Sequence, residues 1–332
     1  MNGKISDKIL KQAEGMKVCI IGDVMLDRYM FGNVTRISPE APVQVFETKQ
    51  SKPKLGGAAN VSYNVKTLGA EPVLIGVIGN DAEGEILADV MRSQGQNTSG
   101  LIIEENRPTT CKTRVIADSH HLLRIDSESK HEISAQTENK IISLLKEISR
   151  ETKFIILQDY NKGVLTKSSI NKIISFAKRE KMKILVDPKF DNFFEYRNVY
   201  LFKPNRKELE DALGRKAKTH DEINDFAREL SGRIKCENIV LTLGENGMRI
   251  FEKKNGKIKL SSIDTHARKV ADVSGAGDTV ISTIAVCLSG GASLKDAVII
   301  ANVAAGLVVE EVGIVPIFRD DLLKYIRKEF RN

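Results

Sequence analysis

Short, unbroken apolar runs punctuate this chain at intervals that leave room for a helix between them. Lys17-Val18-Cys19-Ile20-Ile21-Gly22 is the first, and it ends at Gly22-Asp23. Comparable runs recur at Val73 to Ile78, Phe154 to Leu157, Ile184 to Val186, Val199 to Phe202 and Ile239 to Leu243. Such runs predict strands covered on both faces. Helical periodicity fills the intervals at Ala82 to Gln94, Glu138 to Arg150, Lys167 to Lys181 and Glu222 to Ser231. Strands alternating with helices predict an α/β fold, a mostly parallel sheet flanked by helices. Ligands in such folds bind beyond the carboxyl ends of the strands.

Two regions depart from this pattern. Val43-Gln44-Val45-Phe46-Glu47 alternates, as does Thr109 to Ala117, and His121 to Asp126 is a third extended segment. Alternation predicts antiparallel strands with one face in water. We expect a small antiparallel β lid, its strands within about 29–50 and 108–127, over a single domain spanning 1–332. The apolar positions Val43, Val45, Val115 and Leu123 make the lid a candidate homodimer contact. There is no internal repeat, low-complexity tract or long linker.

Composition narrows the partners. Lys+Arg of 51 against Asp+Glu of 44 gives +7, spread along the chain rather than gathered in one block. Aromatics are 5% and Trp is absent, which poorly supplies the stacking platforms that single-stranded nucleic acid needs. Mild basicity suits an enzyme that handles anionic phosphates. No run approaches the roughly 18 apolar residues of a membrane span, and the first residues lack an apolar signal core. The cysteines Cys19, Cys111, Cys236 and Cys287 form no C-x-x-C pair and lie in or beside apolar stretches. Buried free thiols in a reducing, cytoplasmic setting are expected.

The octet Asp272-Val273-Ser274-Gly275-Ala276-Gly277-Asp278-Thr279, followed by the apolar run Val280 to Leu288, carries the sharpest chemistry. A glycine-rich turn opening a helix leaves backbone N–H groups without intrahelical partners, and the helix dipole adds positive charge there. Phosphate binds at such a terminus. Asp278 stands among the first residues of that helix. It reads either as a cap or as a base for an attacking hydroxyl, placed where phosphoryl charge develops.

Three weaker clusters each have a plain structural alternative. Gly22-Asp23-Val24-Met25-Leu26-Asp27 puts two carboxylates just past the first strand, able to clamp vicinal hydroxyls. Alternatively, Asp23 caps a turn and Asp27 pairs with Arg28. Leu55-Gly56-Gly57-Ala58-Ala59-Asn60-Val61 lets a ligand approach the backbone, or is merely a helix entry. In Phe202-Lys203-Pro204-Asn205-Arg206-Lys207-Glu208, Asn205 and Glu208 organise Mg²⁺ through water, or else form a capping box.

Together, Gly22-Asp23…Asp27, Gly56-Gly57…Asn60, Asn205-x-x-Glu208 and Gly275-Ala276-Gly277-Asp278 resemble the ribokinase-like (PfkB) sugar kinases over essentially the whole chain. Gly22 to Tyr29, Arg36-Ile37-Ser38-Pro39-Glu40-Ala41-Pro42-Val43, Asp159 to Gly163 and Asp187-Pro188-Lys189 are similar to one branch, the D-glycero-β-D-manno-heptose 7-phosphate kinases. That resemblance implies ATP-dependent phosphorylation of the anomeric hydroxyl to the 1,7-bisphosphate, on the route to ADP-heptose and lipopolysaccharide core. Some members carry a fused nucleotidyltransferase. The chain ends at Asn332 without an H-x-G-H motif, so adenylylation is expected on another protein.

Residue by residue, the resemblance implies that Asp278 is the base and that Gly275, Ala276 and Gly277 hold the transferred phosphoryl group. Asn205, Arg206, Lys207 and Glu208 match the nucleotide and Mg²⁺ segment, and Gly244 and Gly247 the turn near the adenine. Asp23, Asp27, Gly56, Gly57 and Asn60 match sugar-contacting positions. Arg28, Lys112, Arg114 and Lys162 are proposed cations for the 7-phosphate, each equally a solvated surface charge. Gly313-Ile314-Val315-Pro316 replaces small polar residues common in the family, leaving activation by a monovalent cation such as K⁺ open. Two rival functions stand beside this one: a kinase of another sugar or sugar phosphate, and a non-catalytic sugar-phosphate sensor.

Overall fold

The computed structural model describes residues 3–118, 120–265, 270–311 and 313–329. The chain opens with α1 (Gly3–Gln12) and β1 (Lys17–Gly22), then runs into two long strands, β2 (Val24–Ile37) and β3 (Gln44–Gly57). It returns through α2 (Ala58–Thr67), β4 (Glu71–Ile78), α3 (Ala82–Ser93) and β5 (Leu101–Ile103). A second excursion makes β6 (Cys111–Ala117) and β7 (His120–Ser127). Then come α4 (Ala135–Ile148), β8 (Thr152–Gln158), α5 (Lys167–Arg179), β9 (Lys183–Asp187) and β10 (Leu201–Phe202). The chain finishes with α6 (Arg206–Leu213), α7 (His220–Ile234), β11 (Asn238–Thr242), β12 (Met248–Lys254), β13 (Lys257–Ile263), α8 (Ala276–Ser289), α9 (Leu294–Val308) and α10 (Arg319–Glu329).

Nine strands form the main sheet in the order β13-β12-β11-β10-β9-β8-β1-β4-β5. From β11 to β5 every ladder is parallel, and the two ladders at the other edge, β11–β12 and β12–β13, are antiparallel. The apolar runs are continuous because both faces are covered. In β1, Val18 and Ile20 join one apolar cluster with α2, α8 and α9, while Cys19 and Ile21 join the other with α4, α5 and α7. Each such fully buried side chain contributes about 1.5–3 kcal/mol. All four cysteines are buried free thiols. Among the described residues, no helix is long and apolar enough to cross a membrane.

The lid is a four-stranded sheet in the order β3-β2-β6-β7. Its outer ladders are antiparallel and its central β2–β6 ladder is parallel. The β2–β3 hairpin extends beyond the expected 29–50, because both strands continue down to the end of β1. Val115 proves buried within the lid, whereas Val43 and Leu123 are exposed together with Ile37, Leu122 and Ile125.

Candidate active site

Helix starts separate the site from the scaffold. Asp81, Ser134, Thr166, Asn205, Thr219 and Ser293 cap α3, α4, α5, α6, α7 and α9 with a side-chain acceptor. By contrast α2 starts at Gly57 and α8 at Gly275, with no side-chain cap. These two helices pack on one another and against β1. Gly275 sits at φ 81°, a left-handed turn that other residues adopt at a cost. It leaves the first N–H groups of α8 directed at the site.

Asp278, only 2% exposed, lies in the first turn of α8. Its Oδ2 accepts from Asn60 Nδ2 at 2.8 Å, and its Oδ1 from Tyr160 OH at 2.7 Å and Gln158 Nε2 at 3.1 Å. Burial pushes its carboxyl up to about 6. The Asn60 hydrogen bond opposes that rise, the Asp187 charge adds to it, and Tyr160 and Lys203 oppose it. A carboxylate so placed accepts a proton near neutral pH. Beside it, the buried Lys203 pairs with Asp187 Oδ1 at 2.9 Å, and Asp187 Oδ2 accepts from Gln158 at 3.2 Å.

A cleft of about 800 Å³ opens over this helix start. Arg206, Lys207, Gly244, Gly247 and Gly275 to Asp278 all line it, with Lys189 and Lys203. Asn205 and Glu208 line it too, and they form the capping box: Glu208 N–H donates to Asn205 Oδ1 and Asn205 N–H to Glu208 Oε2, both at 2.8 Å. Lys189 takes the remaining Glu208 oxygen at 2.5 Å. Arg206 is held by Glu210 at 2.9 Å.

The predicted sugar side gathers on the lid side of Asp278. Asp23 is committed to backbone, accepting from the N–H groups of Tyr160 (2.7 Å), Lys162 (3.1 Å) and Val164 (3.2 Å). It therefore fixes the loop that presents Tyr160. Asp27 pairs with Arg114 across the lid ladder, not with the adjacent Arg28, whose partner is Glu83 at 3.4 Å. Burial nevertheless raises the Asp27 carboxyl, against the Arg114 charge. Gly56 lies against Asp27; a Cβ there would meet its Oδ2 at 2.1 Å. Lys112 meets Asp126 at 2.9 Å and Glu128 at 3.1 Å, and Lys162 meets Glu128 at 2.7 Å. Asp272 accepts from Ser274 and Gly313 N–H groups, tying the glycine-rich turn to the 313–316 segment.

Sequence reasoning gave no role to Gln158, Tyr160, Asp187, Lys189 or Lys203. Gln158 and Asp187 end β8 and β9, and Tyr160, Lys189 and Lys203 follow β8, β9 and β10, where an α/β sheet places its ligands. That rule and the family-like segments Asp159 to Gly163 and Asp187-Pro188-Lys189 were the available signals.

A model described as pfkB family carbohydrate kinase matches residues 16–318. The "bifunctional protein HldE" of a Nitratiruptor species is 39% identical over 311 residues, covering 94% of this chain and 65% of that protein. That of Desulfatibacillum aliphaticivorans is 40% identical over 297 residues, covering 90% of this chain and 60% of that protein. The chain thus spans less than two thirds of the length of these relatives. Escherichia coli phosphofructokinase-2 in complex with fructose-6-phosphate superposes with a TM-score of 0.77 at 18% identity, covering 96% of this chain and 100% of that one.

Proposed function

Because the chain belongs to the pfkB family of carbohydrate kinases, we propose that it transfers the γ-phosphoryl group of ATP to the anomeric hydroxyl of D-glycero-D-manno-heptose 7-phosphate, giving the 1,7-bisphosphate. The observation that carries phosphoryl transfer is Asp278 at the uncapped start of α8, buried on the floor of the cleft. The choice of heptose phosphate rests on the HldE relatives and on the motif resemblance.

In this reading, Asp278 takes the proton of the sugar hydroxyl as that oxygen attacks the γ-phosphorus and ADP leaves. The α8 N–H groups hold the charge that develops on the transferred phosphoryl oxygens, and Lys203 and Lys189 add positive charge beside them. The cleft suits a nucleotide in size and charge. Among the described residues, no group of three or more His, Cys, Asp or Glu side chains could cage a metal. In this reading Mg²⁺ would be held chiefly by nucleotide phosphates and water, with Asn205 and Glu208 at the edge of the cleft reaching it through water. Bound there, the ion would neutralise phosphate charge.

The same reading places the protein in the cytoplasm, where ATP is available, as a homodimer through the exposed apolar positions of the lid. Light scattering checks the dimer: a monomeric mass at micromolar concentration removes it. A second substrate reading, another sugar or sugar phosphate, is favoured by one observation. Each proposed phosphate cation already holds a carboxylate.

The test is ADP release from Mg-ATP across a panel of sugars and sugar phosphates that includes the heptose 7-phosphate and its unphosphorylated parent. Turnover confined to the 7-phosphate is the expected result. Turnover with a different sugar keeps the kinase and discards the heptose, and silence with ATP still bound moves the protein to a sensor role.

A further inference from the structure

Among the described residues, Glu128 is the one carboxylate that bridges two of the cations proposed for the sugar phosphate. It follows β7, at the head of the irregular 128–134 connection to α4. Its Oε2 lies 3.1 Å from Lys112 of β6, and its Oε1 lies 2.7 Å from Lys162 of the loop after β8. The lid and the main sheet thus each supply one ammonium group to one carboxylate. The lysine side chains are only 16% and 11% exposed, unlike the open surface pairs that contribute little. Separate cations on separate oxygens of one anion is also how lysines hold a phosphate.

The Lys112 ammonium and the Lys162 backbone are placed by contacts that do not involve Glu128. Lys112 keeps Asp126 at 2.9 Å, and Asp126 is itself held by Arg124. Around Lys162, the backbone N–H donates to Asp23 and the carbonyl accepts from Arg107 Nη1 at 2.5 Å. Glu128 has no ladder partner to lose, since β7 ends at Ser127. Two ammonium groups on anchored segments, bridged by a carboxylate outside any ladder, form an anion site filled from within the chain.

We infer that Glu128 is a specificity-determining residue, an internal anion that holds the Lys112–Lys162 pair until the phosphate of the sugar phosphate displaces it. This rests on the sugar-phosphate reading above. A phosphate monoester carries close to two negative charges at neutral pH and outcompetes a single carboxylate. A neutral sugar offers nothing to exchange, leaves the bridge in place and meets Glu128 itself. Occupation by Glu128 also scales the apparent affinity for every anion by the fraction of time that the bridge is open.

The experiment is calorimetric titration of inorganic phosphate into wild type and Glu128→Gln, with the cleft filled by a non-hydrolysable ATP analogue. Steady-state KM for the heptose 7-phosphate and its parent is measured alongside. We expect Glu128→Gln to bind inorganic phosphate about tenfold more tightly. The parent sugar, which no longer meets the Glu128 charge, should gain at least as much in KM, so that the ratio of parent KM to 7-phosphate KM does not widen. Equal or weaker phosphate binding by Glu128→Gln, at an unchanged melting temperature, overturns the inference. Should that variant melt early, Glu128→Ser is judged by the same criterion. Lys112→Met separates the two claims. If it abolishes phosphate binding while Glu128→Gln changes nothing, the phosphate site stands and Glu128 is not its occupant. If it too changes nothing, the phosphate site fails with it.

Discussion

On the cleft side of Asp278, α8 begins at Gly275 without a capping side chain, and its first N–H groups face the space a nucleotide would fill. On the lid side, Arg28, Lys112, Arg114 and Lys162 each already hold a carboxylate. The cleft-side cations are paired as well, Lys203 with Asp187 and Lys189 with Glu208. What sets the cleft half apart is the open N–H groups of α8, whereas the lid half offers an anion only cations that stay neutralised until something replaces the internal partner. The backbone can leave N–H groups open to water at a helix end for little cost, whereas an enclosed unpaired cation is expensive. The difference follows from burial as much as from chemistry.

The largest effect that would break this contrast is on stability. Arg114→Met leaves Asp27, 2% exposed, as a buried carboxylate without its cation, and should destabilise by about 3–5 kcal/mol. Urea unfolding measures it, and Asp27→Asn in the same chain should restore most of the loss. A cost below about 1 kcal/mol would mean that Asp27 stays hydrated.

On the cleft side, Gly275→Ala forces a Cβ into the φ 81° turn, straining the start of α8 by about 1–2 kcal/mol. We expect kcat to fall about tenfold or more as the N–H groups shift. Retained kcat would show that this terminus does not hold the transferred group.

A pH profile sharpens the role of the base. Burial raises Asp278 to about 6, and only its ionised form accepts a proton, so kcat/KM should fall as pH drops through about 6. Tyr160→Phe removes a donor that favours the carboxylate. The acid limb should then move upward by about half a unit; a downward move contradicts the assignment.

The smallest effect is expected at Glu208, whose oxygens already serve the helix cap and Lys189. Glu208→Gln keeps a cap acceptor and loses only charge. The Mg²⁺ concentration for half-maximal rate should rise about threefold. An unchanged titration leaves Glu208 as a cap alone.

The sequence carried the frame where local chemistry was decisive. The runs at β1, β4, β8, β9 and β11 were legible because a doubly covered strand must be apolar throughout. The long β2 was not, since it crosses from the main sheet into the lid and carries Asp27, Arg28, Asn33 and Arg36. The β12–β13 hairpin was hidden by edge lysines, whose charge suits an open edge and masks the alternation. The Gly275 to Asp278 turn could be read because glycine and helix start are neighbours in the chain. Partners far apart could not: Asn60 and Asp278 are separated by 218 positions, and Asp27 and Arg114 by 87. Which cation meets which acid is set by the packing of lid on sheet.

The most direct test of the whole account is kcat for Asp278→Asn, measured with Mg-ATP and the sugar phosphate that wild type turns over best. The variant should fold, bind nucleotide and lose about two or more orders of magnitude in kcat. Turnover within about threefold of wild type would remove Asp278 as the base.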